Sequence, residues 1–582
     1  MNLRARAARA ATCCALLVGL LLHASTVSIA HAATIVVSTT ADELNADGDC
    51  SLREAVRAAN LDSPVDGCPA GSGADTIVLA PSVYQLSIAG AEEDAALTGD
   101  LDITHDLSIT GAGTSATAID GNRLDRVLDV RGASVHLAHL SIRNGSADTS
   151  GGGGVNDAGA LTLDDVVVSG NQAAEDGGGV ANTGALVLSH SDISDNSSEN
   201  VGGGITNQGT IAATDSHIMG NTAFTSGGGI SNDNSGGVAL TGSSVMMNMA
   251  SRGGGISNVS GAVTVIDSEI TGNMATEVDG GGILNEATLT VLGSMVGDNM
   301  AHEGKGGGIF NQGGTGSVTA SIISGNMSGN RGGGIANSGA LTVLATAVVS
   351  NTAESHAFPF GYPAYGGGIA NSGILTITNS TVSGNMAFDD GGGIYNQADI
   401  PGAARLSLNN VTIANNMADS DGQGSGDGGG IINQTGDTVS LQNTIVAGNE
   451  DHSSGTGAAV VPDCVGAFDS RGYNLIGDRS VSTCAGFVNG VKGDQVGDHA
   501  GGRAIDPALG PLREQGGPTM TESLLAGSPA IDAGNPRGCT DGLSNPLPDD
   551  QRGDVRPWGR ACDIGAYEYD TMQYQFLPFI RR

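Results

Sequence analysis

A chain of 582 residues would ordinarily divide into three or four domains, but 95 glycines and 3 % aromatic residues do not describe a set of ordinary globular cores. Lys and Arg number 24 against 61 Asp and Glu, for a net charge of -37. A phosphate-binding surface needs clustered cations, so nucleic acid and anionic membranes are excluded as partners. The glycines keep no three-residue period, which excludes collagen, and 39 % hydrophobic residues exclude simple disorder, so an internal repeat is expected.

Residues 1–32 read as a secretory signal. Arg4, Arg6 and Arg9 give its basic start, Ala15 to Leu22 its apolar run, and Ala30-His31-Ala32 a cleavage site. That run is too short to cross a bilayer, and no later stretch approaches the required length, so no transmembrane span is expected. Residues 33–75 read as an N-terminal cap. Ser51 and Glu54 form a capping box ahead of a short helix whose apolar face is Leu52, Ala55, Val56 and Ala59, suited to plugging the end of a stack. In the same segment Glu43, Asn45, Asp47 and Glu54 imitate a calcium-loop spacing. Glu54 already has its capping role and Cys50 interrupts the loop, so coincidence is the reading and no metal or other cofactor is assigned.

From 76 to 450 the chain is expected to form one solenoid. The hexapeptide G-G-G-(I/V)-x-N, with Asp157 for Asn in the first copy, recurs eleven times between Gly152 and Asn433, mostly 25 to 27 residues apart. A second marker runs in step: Asn171, Asn196, Asn221, Asn248, Asn273, Asn299, Asn326, Asn351, Asn385, Asn416 and Asn449. Between the markers apolar residues alternate, as in Leu375, Ile377 and then Val382, which means strand with one face buried. About three short strands per unit, with Gly and Asn corners, give a parallel β-helix, right-handed by the preference of parallel crossovers. The recurring Asn side chains are expected to bond up the stack as a structural ladder.

Two spacings are longer. The 34-residue one inserts Phe358, Phe360, Tyr362 and Tyr365 between coils, and the 37-residue one adds an acidic stretch, Ser420 to Asp427. Aromatic faces suit sugar rings and connecting loops commonly carry binding, so these four aromatics, with Asp389 and Asp390, are the candidate ligand site. Packing of the rings against the rod is the plainer alternative. Catalysis on such a rod would need paired carboxylates or a cationic base. The coils offer Asp164-Asp165 and Asp389-Asp390 but few cations (Arg252, Lys305, Arg331 and Arg405), so a polyuronate cleft is poorly supplied, and no catalytic residue is assigned.

Residues 451–569 read as a loop-rich C-terminal domain, followed by a tail, 570–582. Beyond the signal, Cys50, Cys68, Cys464, Cys484, Cys539 and Cys562 fall in three sequence-local pairs at the two ends. In an exported chain this reads as end-stapling disulfides, although spacing alone leaves the connectivity open.

Cys50-Ser-Leu-Arg-Glu-Ala55 resembles the CSLREA domain of secreted bacterial β-helix proteins. The segments Asp506-Pro-Ala-Leu-Gly-Pro-Leu512, Ser528-Pro-Ala-Ile-Asp532, Asp550-Gln-Arg-Gly and Cys562-Asp-Ile-Gly-Ala-Tyr-Glu568 resemble the choice-of-anchor Q domain. The G-G-G-(I/V)-x-N coils are similar to polymorphic outer-membrane-protein repeats. The resemblance implies a pectin-lyase-like β-helix, exported and surface-associated, and supplies no catalytic residue. The expectation is an all-β, right-handed parallel β-helix with a short helical N-terminal cap and a disulfide-bearing C-terminal region. It would act extracellularly or at the cell surface as a structural or adhesive protein, with a surface polysaccharide or another cell-surface protein as partner. The alternative is an enzyme binding or cleaving polysaccharide.

Overall fold

The computed structural model describes residues 32–90, 93–148, 151–355, 363–422, 426–453, 463–479, 484–498, 501–541 and 545–570. The chain winds into a right-handed parallel β-helix. One coil shows the unit: strands Ile369–Asn371, Ile374–Thr378, Thr381–Ser383 and Met386–Ala387. Each pairs in parallel and in register with its counterparts above and below, as Ile369 does with Ile335 and Ile394. The counterparts stack into sheets of 30, 15 and 12 strands. The largest sheet holds both middle segments of every coil. In the early coils these are one long strand, Ser134–Arg143 and then Ala160–Ser169, bent at a left-handed residue, His139 (φ 56) and Asp165 (φ 52). The expected three strands per coil thus become four segments in three sheets, because a corner breaks the middle strand.

The glycine triplet is explained residue by residue. Its first glycine has positive φ in every copy, from Gly152 (φ 81) to Gly428 (φ 64), which an L side chain adopts only with strain. The second and third stand where backbones touch. A Cβ on Gly254 would lie 2.4 Å from the Met274 carbonyl, and one on Gly255 would lie 2.6 Å from the Gly282 oxygen and 2.9 Å from Asn273. The following Ile or Val, for example Ile230, Ile256 and Ile283, is fully buried and opens the inward column of the core.

Polar residues stack just as regularly. Each marker Asn donates from Nδ2 to Oδ1 of the next, as Asn273 does to Asn299 (2.9 Å), and that oxygen also accepts the lower residue's backbone N–H (3.0 Å). The Asn of the hexapeptide forms a second ladder, Asn232 to Asn258 (2.9 Å) and Asn258 to Asn285 (2.7 Å). Hydroxyls form a third at the bend, where the Ser243 N–H donates to Ser268 Oγ (3.0 Å). Corner backbone that the sheets cannot satisfy is paired this way.

At the N-terminus the helix Leu52–Leu61 packs on the first coils. Ser51 caps it, with the Glu54 carboxylate returning to the Ser51 N–H (3.0 Å). Arg53 is fully buried, paired with Asp42 (2.6 Å) and donating to the Asp100 (3.0 Å) and Gly99 (2.8 Å) carbonyls. A disulfide joins Cys50 to Cys68.

Stacking does not stop at residue 450, just beyond the last marker asparagine, Asn449. Strand Ile431–Asn433 pairs with Cys464–Ala467, which pairs with Cys484–Ala485, and a disulfide ties Cys464 to Cys484. Asp463 supplies the next rung, its Oδ1 accepting from Asn449 Nδ2 (2.9 Å), and burial pushes its carboxyl up to about 7. Described residues beyond 500 carry no strand, and they return along the flank of earlier coils. Thr381 donates to Gln551 (2.6 Å), Asn379 to the Asp549 carbonyl (2.8 Å) and Asn410 to the Thr540 carbonyl (3.1 Å). This flank piece is held together by buried pairs, Arg552 with Asp550 (2.7 Å) and Arg556 with Glu568 (3.0 Å), and by the Cys539–Cys562 disulfide. Among the described residues no helix is long and apolar enough to cross a membrane.

Candidate ligand-binding groove

Because the coils stack in register, any sequence position becomes a column on the surface. The fifth position of the hexapeptide lies on the strand side away from the main core, is buried beneath its neighbours, and reads Phe310, Ala336, Ala370, Tyr395 in four successive coils. The position two residues later reads Gln312, Ser338, Ser372, Gln397. Two coils of small residues therefore lie between two of large ones, and the result is a groove of about 220 Å³. Its floor is Ala336, Ser338, Ala370 and Ser372, and its end walls stand three rungs apart, about 14 Å.

The residue preceding the triplet forms the third column. From Arg252 it runs Asp279, Lys305, Arg331, Tyr365, Asp390, linked by backbone bonds such as Gly306 N–H to the Arg331 carbonyl (2.9 Å) and Gly332 N–H to the Tyr365 carbonyl (2.9 Å). Three of the four cations expected in the coils are therefore in one file. Arg252 is neutralised by Glu286 (2.9 Å). Lys305 and Arg331 line the groove and, among the described residues, form no ion pair with a carboxylate. Lys305 Nζ stands 5.9 Å from the Phe310 ring centre, and the Arg331 guanidinium stands 5.3 Å from Tyr365 and 5.9 Å from Tyr395. The two tyrosines stack with centroids 4.4 Å apart and planes at 9°. Burial holds the Tyr395 hydroxyl well above its ordinary range, and it donates to Gln397. Stacked rings thus back the Arg331 guanidinium, and both cations border the groove half-buried.

Of the residues singled out from sequence, Tyr365 joins this column and Asp390 follows it one coil on. Phe358, Phe360 and Tyr362 lie outside the described residues. Asp389 Oδ2 accepts the Ala364 N–H (2.7 Å), fastening the end of the inserted loop to the next coil. Asp390 accepts the Asp427 N–H (3.0 Å), and burial first, then the neighbouring carboxylates, push its carboxyl up to about 7. Neither aspartate lines the groove. Lys305, Arg331, Phe310, Tyr395 and the alanine floor were not singled out. The available signal was the alternation I-F-N-Q, I-A-N-S, I-A-N-S, I-Y-N-Q, visible once the coils are aligned on their triplets.

At the N-terminal cap, ligand atoms of Glu43, Asp47 and Asp49 lie within 4.8 Å of one another. Residues of the calcium-like spacing also bond within the turn, while Asp49 Oδ1 is buried without a hydrogen-bond partner. Glu54 is occupied by the Ser51 and Asn45 N–H groups (3.0 and 3.3 Å), Asn45 Nδ2 donates to Glu43 (2.8 Å), and Asn45 Oδ1 accepts from the Asp47 N–H (3.1 Å). A turn built from side-chain caps accounts for these residues.

No family model matches the chain, and no curated protein matches it. Among solved structures it is similar to the pectate lyase Pel9A, at 13 % identity and a TM-score of 0.27, over 93 % of this chain and 98 % of that one. It is also similar to the A-module of the mannuronan C-5 epimerase AlgE4 of Azotobacter vinelandii, at 15 % identity and a TM-score of 0.32, over 71 % of this chain and 98 % of that one.

Proposed function

We propose that this protein is an exported β-helical rod that binds a polysaccharide bearing acidic groups in the groove between Phe310 and Tyr395, and does not cleave it. One observation carries the reading. A chain with a net charge of -37 places on adjacent coils two cations, Lys305 and Arg331, that form no ion pair among the described residues, beside a floor of small residues and with Asp279 and Asp399 at the groove's rim. In an acidic protein such cations would ordinarily be neutralised, as Arg252 is by Glu286. Held beside a low-dielectric wall, they are worth more to an anionic ligand than the same charges in open solvent. The serine and glutamine side chains around the floor add neutral hydrogen-bonding groups for hydroxyls. Export rests on the signal-like start of the chain and on three disulfides, which persist in oxidising compartments. The terminal motifs that resemble the CSLREA and choice-of-anchor Q domains agree with a surface location.

The test is a panel of acidic and neutral polysaccharides, with binding and released products followed separately. The proposal expects binding to acidic members without new reducing or unsaturated ends, and at least about tenfold weaker binding in Arg331→Gln. Equal binding by the Gln variant would refute it. Cleavage, the second reading, has one observation in its favour: the Asp390 carboxyl is held up to about 7, the range of a general acid, beside Tyr365. Product release that disappears in Asp390→Asn would establish that reading.

A further inference from the structure

Six of the 13 methionines stand in one column of the rod. Met249, Met274, Met300, Met327, Met386 and Met417 each follow a ladder asparagine and open a two-residue strand of the smallest sheet. Met249 pairs with Met274, Met274 with Met300 and Met300 with Met327; Thr352 interrupts, and Met386 pairs with Met417. The second residue of each strand, Ala250 through Ala418, is buried in the core, so strand alternation puts every methionine outside. Met249 and Met386 are 36 % and 39 % exposed. Met247, 59 % exposed at the adjoining corner, reaches over the next coil: a Cβ on Gly272 would stand 3.6 Å from its Cγ.

The fold does not require methionine here. The same column carries Gln172, Ser197, Thr222 and Thr352 in other coils, and methionine is not among the residues enriched in strands. What four consecutive methionines add is a file of neutral, polarisable sulfurs, the donor type that selects copper(I). Rungs about 4.8 Å apart match the span of two metal–sulfur bonds of about 2.3 Å each. An ion between successive rungs is therefore reached by side-chain rotation alone. The described cysteines are all in disulfides and offer no competing thiolate. We propose that the outer face at Met249, Met274, Met300 and Met327 is a binding strip for a soft monovalent cation, copper(I), held by thioether sulfurs.

Silver(I), soft and inert to redox chemistry, is the probe, with copper(I) in a competing chelator as the second arm. The chain is used without the signal, as residues 33–582, which removes Cys13 and Cys14 as other soft ligands. The proposal expects the methyl resonances of these four methionines to shift on adding silver(I) and not zinc(II). It also expects affinity to fall at least about tenfold in Met274→Leu/Met300→Leu, which keeps the volume and deletes the sulfurs. Unmoved methyl signals, the same shifts with zinc(II), or unchanged affinity in the folded double variant would overturn it. The methyl shifts are read on the unsubstituted strip, so the answer does not depend on the variant folding.

Discussion

Replacing Asn273 with alanine tests the polar ladder at the middle of the rod. Asn273 is 1 % exposed and makes four side-chain bonds. Its Oδ1 accepts from the Asn248 N–H (3.0 Å) and Nδ2 (2.9 Å), and its Nδ2 donates to the Val245 carbonyl (2.9 Å) and to Asn299 Oδ1 (2.9 Å). Two of the partners are left with something: Asn248 Nδ2 keeps the Ile218 carbonyl, and Asn299 Oδ1 keeps the backbone N–H of residue 273. The Asn248 N–H is orphaned in a buried site, which costs about 1–3 kcal/mol, and the lost rung adds about 1 kcal/mol net for each bond not replaced. The expected loss is about 3–5 kcal/mol, near the top of the range for a single substitution. Urea unfolding measures the total, and hydrogen exchange at the 248 and 273 amides shows whether the damage is local, as nearest-neighbour stacking requires. A loss below about 1 kcal/mol with unchanged exchange would refute the reasoning. Asn273→Asp is expected to fail at neutral pH and recover in acid, because a buried carboxylate at this rung is favoured only when protonated, as at Asp463.

The other predictions are briefer. Gly254→Ala puts a Cβ 2.4 Å from the Met274 backbone and 2.6 Å from the Gly281 carbonyl of the next coil, so stability is expected to fall by about 1–3 kcal/mol in calorimetry, and an unchanged melting temperature would contradict the close-approach account. Cys50→Ala with Cys68→Ala opens a bridge between residues 18 apart and is expected to cost about 3 kcal/mol, with exchange rising in the cap helix and not in the central coils. Burial raises the carboxyls of Asp100 to about 8, Asp102 and Asp157 to about 6, and Asp390 and Asp463 to about 7. The folded state therefore binds more protons than the unfolded chain, whose aspartates titrate near 3.9, so this contribution is complete in acid and is lost as pH rises through 6 to 8. The melting temperature is expected to be lower at pH 9 than at pH 5, and a rise over that interval would contradict the sign.

The coil and its periodicity were legible because they depend on local chemistry. Glycine at a positive-φ corner, small residues at a close approach and alternating Leu, Ile and Val all report on their own backbone. The second and third polar ladders were harder to see. Asn258 stands in the sequence only as part of a repeat marker and Ser268 in no marker at all, and their pairing becomes visible only when the next coil lies above them. The groove escaped for the same reason. Lys305 and Arg331, like Phe310 and Tyr395, lie in different coils, and only register makes each set neighbours. The aromatic insertion, by contrast, stands out by composition alone. The fold-back of residues 505–570 was not legible either, since contacts such as Thr381 with Gln551 join positions 170 apart with no periodic signal.

The central claim is that two coils of small residues form the binding floor, and filling that floor tests it most directly. Ala336→Leu with Ala370→Leu adds bulk that the same column already accommodates at Leu284 and Phe310, and it leaves Lys305 and Arg331 in place. Titration calorimetry with an acidic oligosaccharide long enough to span both walls should show binding to the native chain and loss of at least about tenfold in the filled variant, with unfolding unchanged. Equal affinity in the two proteins would place the ligand elsewhere and contradict the account.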